Sequence, residues 1–186
     1  MNKLFKLSLV AFAFLSANVA FAQMEKTVEV GGAPMYPSKN IVENAVNSAD
    51  HTTLVAAVKA AGLVETLQGK GPFTVFAPEN SAFEKLPKGT VETLLKPENK
   101  GQLTAVLTYH VVAGKMGSKE IADAIKKGNG KATLTTVQGG KLTAWMKGKD
   151  LYITDENGGQ SKVTIADVWQ SNGVIHSVDT VVLPKM

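Results

Sequence analysis

The hydrophobic pattern of this chain changes character between its two halves. In the N-terminal half, apolar residues recur three and four positions apart, as in Leu54, Val58 and Ala61, which predicts an amphipathic helix opened by Asp50 and closed by Gly62. The same spacing predicts further helices around residues 41–46, around 103–107 and from Ser118 onward. The C-terminal half is rich in Val, Ile, Thr and aromatic residues broken by glycine turns, which predicts strands near 132–137, 141–147, 150–155, 161–168 and 174–183. Helices followed by a run of strands indicate an α+β domain with a mostly antiparallel sheet.

One short strand interrupts the helical half. The segment Phe73–Ala77 is apolar, with alternate side chains expected on opposite faces, and Pro78 ends it. Ser81 and Glu84 follow three residues apart, which predicts a capping box for the next helix, with Asn80 as the competing cap.

The N-terminus has the features of an export signal. Lys3 and Lys6 precede an apolar run, and the small residues Ala20 and Ala22 flank Phe21 as in a cleavage site, so residues 1–22 are predicted to be a signal peptide. Residues 23–38 contain two glycines and two prolines and are predicted to be an irregular leader, followed by one domain over 39–186. We therefore expect an exported, periplasmic or extracellular protein without stable membrane insertion after signal cleavage.

Composition narrows the classes of partner. All 20 cationic residues are lysine, and they are scattered singly, whereas nucleic-acid recognition favours the planar fork of arginine. We therefore expect no nucleic-acid partner. The chain also has no cysteine, which excludes disulfides, thiolate zinc sites and a cysteine nucleophile.

The three histidines are the candidates for acid–base chemistry near neutral pH. His110 continues an apolar helical stripe, and His176 shares a strand face with Val174 and Val178, so both are predicted to be buried and hydrogen-bonded. Ser177 should point to the strand face opposite His176, which argues against a catalytic triad. No metal-binding spacing and no phosphate loop is evident, so we predict no enzyme activity, no cofactor and no metal.

Three aromatic residues in the strand region could form a ligand wall. Trp145, Tyr152 and Trp169 are the candidates, although cross-strand packing is the commoner role of aromatics on strands.

Two separated segments resemble the two signature boxes of the fasciclin (FAS1) domain. The first is Phe73-Thr-Val-Phe-Ala-Pro-Glu-Asn-Ser-Ala-Phe83, the second is Asn172-Gly-Val-Ile-His-Ser-Val-Asp179, and Tyr109-His110 between them resembles the family's Tyr-His motif. Within the boxes we expect a structural role for eight residues: Thr74, Phe76, Pro78, Asn80, Phe83, Asn172, Gly173 and His176. Of these, Asn172-Gly173 is predicted to set a turn because both residues tolerate positive φ.

The resemblance implies a fold and a general role. The implied fold is a wedge of two small, mostly antiparallel sheets with helices packed around it. The implied role is non-catalytic cell adhesion, through contacts with cell-surface or matrix proteins or polysaccharides. By the same resemblance, Tyr109, His110, Asp167 and Val168 correspond to segments linked to partner binding in animal members. The chain departs from those members at Ile165-Ala166, where Glu-Pro is common, and at Val168, which replaces Ile. The alternative function is a carrier of a small apolar ligand that uses the aromatic strands.

Overall fold

The computed structural model describes residues 26–185, which form helices packed on a strongly bent sheet. The helices are α1 (Ile41–Ala45), α2 (Thr52–Ala61), α3 (Val64–Gln68), α4 (Asn80–Glu84), α5 (Thr90–Leu94), α6 (Lys100–Tyr109) and α7 (Ser118–Lys127), with 3₁₀ turns at Ala49–His51 and Pro97–Asn99. The strands are β1 (Val28–Val30), β2 (Ala33–Met35), β3 (Phe73–Pro78), β4 (Val111–Ala113), β5 (Lys131–Thr135), β6 (Lys141–Lys147), β7 (Asp150–Thr154), β8 (Gln160–Gln170) and β9 (Gly173–Val178). The predicted signal peptide lies outside the described residues.

Seven strands form one sheet in the order β4-β3-β9-β8-β7-β6-β5, and β1-β2 form a separate hairpin. Among the pairs within the seven-stranded sheet, only β3 and β9 run parallel, so the prediction of an α+β fold with mostly antiparallel pairing is confirmed. Strand β8 belongs to both halves of the sheet and changes register between Val163 and Val168. These irregularities bend the sheet, and a bridge between Val112 and Thr136 joins its two ends. A wedge results.

Strand β3 separates two hydrophobic cores. Val75 and Phe73 face the core formed with the N-terminal helices, whereas Phe76 faces the core under α7, as the alternation predicts. Strand β9 divides in the same way, with Ile175 in the first core and Val178 in the second. The two boxes therefore lie side by side at the centre of the molecule, in register from Phe73 opposite Gly173 to Pro78 opposite Val178.

Three local predictions are wrong. Residues 23–38 are not irregular throughout, because β1 and β2 form a hairpin around Gly31-Gly32 that buries Val30 and Met35. Pro34 is compatible with a strand in this two-stranded ribbon, where half the backbone donors need no partner. The last strand ends at Val178 rather than residue 183. The predicted Asn172-Gly173 turn lies one residue earlier, at Ser171-Asn172, because Gly173 is already part of β9, and neither Asn172 nor Gly173 has the expected positive φ.

Helix capping also differs from the prediction. Ser81 and Glu84 do not form a capping box, since α4 begins at Asn80 without a side-chain cap. The box occurs instead at Asn40 and Glu43, which bond each other's backbone at the start of α1. The predicted C-cap is confirmed, because Gly62 ends α2 in the left-handed conformation at φ 72°.

Candidate functional site

His176 lies at the centre of β9 with no exposed surface. Its Nδ1 accepts a hydrogen bond from the Asp167 backbone N–H at 3.3 Å, so Nε2 carries the proton and donates to the Met116 carbonyl at 2.9 Å. The ring stacks on Phe76, with 5.6 Å between centroids. Burial lowers the pKa of His176, which keeps the imidazole neutral. The ring therefore links β3, β8 and the loop before α7.

Asp167 occupies the bulge of β8 and begins this link. Its backbone is left-handed, with φ 60°, and its carboxylate accepts hydrogen bonds from the backbone N–H of Ser118, at 2.6 Å, and from the Ser118 hydroxyl. The carboxylate thus sits at the first turn of α7, where negative charge is favourable. The next residue, Val168, is 1% exposed and packs in the first core.

The Tyr109-His110 pair ends α6 in the interior. The Tyr109 hydroxyl donates to the Lys141 carbonyl at 2.7 Å and accepts from the Glu156 N–H at 3.2 Å, and burial raises its pKa to about 12. His110 donates from Nδ1 to the Val106 carbonyl at 2.8 Å and accepts at Nε2 from the Val182 N–H at 3.2 Å. Burial lowers the pKa of His110 to about 4. The pair therefore holds the sheet and the C-terminal segment against α6.

The four residues proposed for partner binding are thus internal to the fold. Tyr109, His110 and Val168 are no more than 2% exposed, and the Asp167 carboxylate is engaged by α7. Direct contact with a partner through these side chains stays a prediction, and the described surface near them is formed by their neighbours. Trp169 is the largest such neighbour, 38% exposed, with the Lys115 ammonium 5.2 Å from its ring centroid.

The polar residues of the boxes connect distant elements. Asn172 accepts from the Ile41 N–H at 3.0 Å and donates to the carbonyls of Leu67 and Gly69 at 2.7 and 2.8 Å. It therefore joins the β8–β9 turn to α1 and α3. Gly173 is required for a steric reason, because a Cβ there would lie 2.3 Å from the Phe73 carbonyl oxygen.

The first box makes similar connections. Asn80 accepts from the Thr53 N–H at 3.0 Å and donates to the Ala49 carbonyl at 2.8 Å, so it caps α2 rather than its own helix. The Thr74 hydroxyl donates to Gly114 at 2.7 Å and accepts from Met116 at 2.9 Å, which fixes the loop before α7. Pro78 ends β3, and Phe83 packs against the first core.

No local sequence pattern predicts the buried contact between Ser177 and His51. Ser177 lies on the face of β9 opposite His176, as predicted, and its hydroxyl is 3.4 Å from Nε2 of His51. The other ring nitrogen of His51 bonds the Ser48 hydroxyl at 2.9 Å rather than a carboxylate. All three side chains are at most 3% exposed, and burial lowers the pKa of His51. The arrangement is an enclosed hydrogen-bond chain in which, among the described residues, no carboxylate bonds either nitrogen of the His51 ring.

An apolar cavity lies beside this chain. It has a volume of about 80 Å³ and lies between the first helices and the sheet, lined by residues that include Leu54, Val58, Leu67, Val168 and Ile175. The aromatic strands do not line it. Trp145 and Tyr152 instead stack across β6 and β7, with centroids 4.9 Å apart, so cross-strand packing is confirmed for them.

The described residues also limit the possibilities for metal binding and for a membrane-spanning helix. Within residues 26–185, no group of three or more His, Asp or Glu side chains is placed to hold a metal ion. Over the same residues, none of the helices is both long enough and apolar enough to cross a bilayer.

Comparison with known proteins identifies the family of this chain. The fasciclin domain model matches residues 49–184. Protein sll1483 of Synechocystis sp. is 44% identical over 182 residues, which is 96% of this chain and 94% of that protein. The cell surface glycolipoprotein MPB83 of Mycobacterium bovis is 36% identical over 66% of this chain and 48% of its own length. The structure of a FAS1 domain pair from the insect cell adhesion molecule Fasciclin I shares the fold, with a TM-score of 0.70 at 15% identity, over 86% of this chain and 58% of that one. The chain belongs to the fasciclin domain family.

Proposed function

We propose that this protein is an exported adhesion protein that binds cell-surface or extracellular-matrix components without catalysing a reaction. The observation that carries the proposal is the family membership over residues 49–184, together with relatives described as a cell surface glycolipoprotein and a cell adhesion molecule. The burial of all three histidines supports the non-catalytic part. Each ring has hydrogen-bond partners within the protein, and burial lowers each pKa.

We expect the motif residues to act in adhesion only indirectly. Asp167 and Val168 shape the bulge that exposes Trp169, so we expect a partner to touch Trp169 and its neighbour Lys115 rather than the motif side chains. Tryptophan is one of the residue types enriched among the hot spots of protein interfaces.

Two measurements test the proposal, the first for export and the second for adhesion. Expression of the full chain in a Gram-negative host, followed by fractionation and intact-mass analysis, should place a species lacking residues 1–22 outside the cytoplasm. The purified protein should adhere to cell-envelope or matrix preparations, and Trp169→Ala should weaken that adhesion while its melting temperature stays close to that of the unaltered protein. Adhesion no greater than that of an unrelated control protein of similar charge would contradict the proposal.

A second candidate, carriage of a small apolar ligand, is favoured by the apolar cavity. Its volume of about 80 Å³ is well below the roughly 300 Å³ at which ligand pockets begin, so carriage requires the helices to move away from the sheet. Native mass spectrometry of protein purified without detergent tests this function. A bound apolar compound of defined mass would favour carriage, and a clean apo mass would contradict it.

A further inference from the structure

The outer face of strands β5 to β8 is a second surface that the fasciclin motifs do not touch. Inward-facing residues such as Leu134, Leu142 and Ile153 are buried in the core under α7. The side chains that alternate with them are exposed or half-buried along all four strands. They are polar or aromatic, as expected for the solvated face of an antiparallel sheet.

Strand register arranges these outward side chains in two parallel rows. Lys131 pairs with Trp145, Trp145 with Tyr152, and Tyr152 with Lys162, so a stacked aromatic pair is flanked by a lysine on each side. The adjacent row is entirely uncharged and can donate and accept hydrogen bonds: Thr133, Thr143, Thr154 and Gln160. Each row crosses four strands, a span of about 14 Å at roughly 4.8 Å per strand.

An open depression lies where the two rows meet. It has a volume of about 390 Å³ and is lined by five residues: Lys131, Thr143, Trp145, Thr154 and Gln160. The indole N–H of Trp145 donates to the Thr154 hydroxyl at 2.9 Å, which holds the ring as a wall over the threonines. Its volume lies within the range of small-ligand sites, about 300–1,000 Å³.

The charge of this face is positive. Its outward positions carry four lysines (Lys131, Lys141, Lys147 and Lys162) and one aspartate, Asp150, which gives a net charge of +3. Asp150 pairs with Lys162 at 2.8 Å, whereas Lys131, beside the depression, has no carboxylate partner among the described residues.

We propose that the outer face of β5–β8 binds an acidic polysaccharide, with one uronic-acid unit in the depression. The carboxylate of the sugar would meet Lys131, and its hydroxyl groups would bond Thr143, Thr154 and Gln160. The apolar C–H face of the sugar ring would lie against the electron-rich face of Trp145. This inference rests on the proposed adhesive function and names the chemistry of one of its partners.

A sugar polymer fits this face better than other polyanions do. Nucleic-acid and phosphate sites favour the bidentate fork of arginine, which the chain lacks. A membrane surface would require a broad apolar area beside the lysines, whereas the apolar area of the two rows is limited to the rings of Trp145 and Tyr152, and the adjacent row consists of hydroxyl and amide groups.

The test is a titration of the protein with polygalacturonate, and with neutral dextran of the same length as the comparison. Polygalacturonate should bind with an affinity that falls as salt rises, and dextran should bind at least about tenfold more weakly. Lys131→Glu should lower the affinity for polygalacturonate about tenfold, because it replaces one attractive pair by one repulsive pair. The matched control is Lys88→Glu, an equally exposed lysine in the helical half, which should change the affinity less than twofold.

Fluorescence locates the bound sugar, because the chain has only two tryptophans. Polygalacturonate should change the emission of Trp169→Phe, in which Trp145 is the remaining tryptophan, and should leave that of Trp145→Phe unchanged. Lys131 and Trp169 are exposed, so their variants should keep the melting temperature of the unaltered protein and remain interpretable.

Several results would overturn the inference. They are equal binding of dextran, equal losses in Lys131→Glu and Lys88→Glu, an unchanged Trp145 signal, and tighter binding of single-stranded DNA or anionic vesicles. If envelope or matrix adhesion persists in such a case, the inference fails and the proposed function stands. If adhesion is also absent, the proposed function fails.

Discussion

Replacing Asn172 by alanine tests whether the second box is a structural junction. The side chain is 7% exposed, and its three hydrogen bonds reach elements more than 100 residues away. Alanine leaves the Ile41 N–H and the carbonyls of Leu67 and Gly69 without that partner. A buried group without its partner costs about 1–3 kcal/mol.

The expected loss follows from these three groups. The Ile41 donor should cost near the middle of that range, and each carbonyl less, because a carbonyl at a helix end is more easily reached by water. We therefore expect Asn172→Ala to lower the free energy of unfolding by about 3–4 kcal/mol. For a domain of this size that loss corresponds to a fall of roughly 6–16 °C in melting temperature.

Urea unfolding monitored by circular dichroism measures the loss. The matched control is Asn47→Ala, which removes one exposed bond, from Asn47 Nδ2 to the Glu43 carbonyl, and should cost less than about 0.5 kcal/mol. Asn172→Asp distinguishes the accepted bond from the two donated bonds, because an ionised aspartate can still accept from the Ile41 N–H but cannot donate to the two carbonyls. It should be as destabilised as alanine at neutral pH, because burying an ionised carboxylate against the two carbonyl oxygens offsets the one bond that it keeps. If Asn172→Ala costs no more than Asn47→Ala, the junction interpretation is wrong.

Three other outcomes can be measured in the same way. His176→Ala should lower the free energy of unfolding by about 3–5 kcal/mol, as for other large buried rings, and an unchanged melting temperature would argue against its buried role. Because burial lowers the pKa of His110 from 6.5 to about 4, only the unfolded chain is protonated between these values. The contribution of His110 to stability should therefore be complete above pH 6.5 and fall by about 3 kcal/mol towards pH 4, and His110→Gln should remove that part of the slope in urea titrations, leaving the parts due to His51 and His176. Val168→Ile adds one methylene beside the apolar cavity and should stabilise by about 0.8 kcal/mol, whereas a loss of stability in thermal melts would mean that the cavity cannot accept it.

Local patterns predicted much of the fold. The alternation in Phe73–Ala77 correctly placed Phe76 on the face opposite Phe73 and Val75, and the alternation in the last strand correctly placed His176 on the face of Val178. The β1–β2 hairpin had a usable signal, a Gly-Gly pair between short alternating segments, but the nearby prolines outweighed it in the interpretation. The prediction was wrong because the prolines were given more weight than the Gly-Gly pair, although the sequence contained the signal for the hairpin.

Long-range features had no local signal. The cap that Asn80 provides for α2 joins residues 27 positions apart, and no local spacing rule describes such a contact. The Lys131–Trp145–Tyr152–Lys162 row likewise depends on strand register, because a shift of one residue would turn each side chain to the other face.

We expect the buried polar motif residues and the exposed residues of the outer face of β5–β8 to have different roles. The polar motif residues Asn80, Asn172, His110 and His176 each bond a backbone group of a different element, so replacing them should affect stability before it affects binding. The outer face of β5–β8 contributes almost nothing to these junctions, and its side chains can change without disturbing them. Relatives with the same boxes can therefore carry different outer faces, and we expect binding specificity to follow the residues at the positions of Lys131, Trp145 and their row rather than the motif itself.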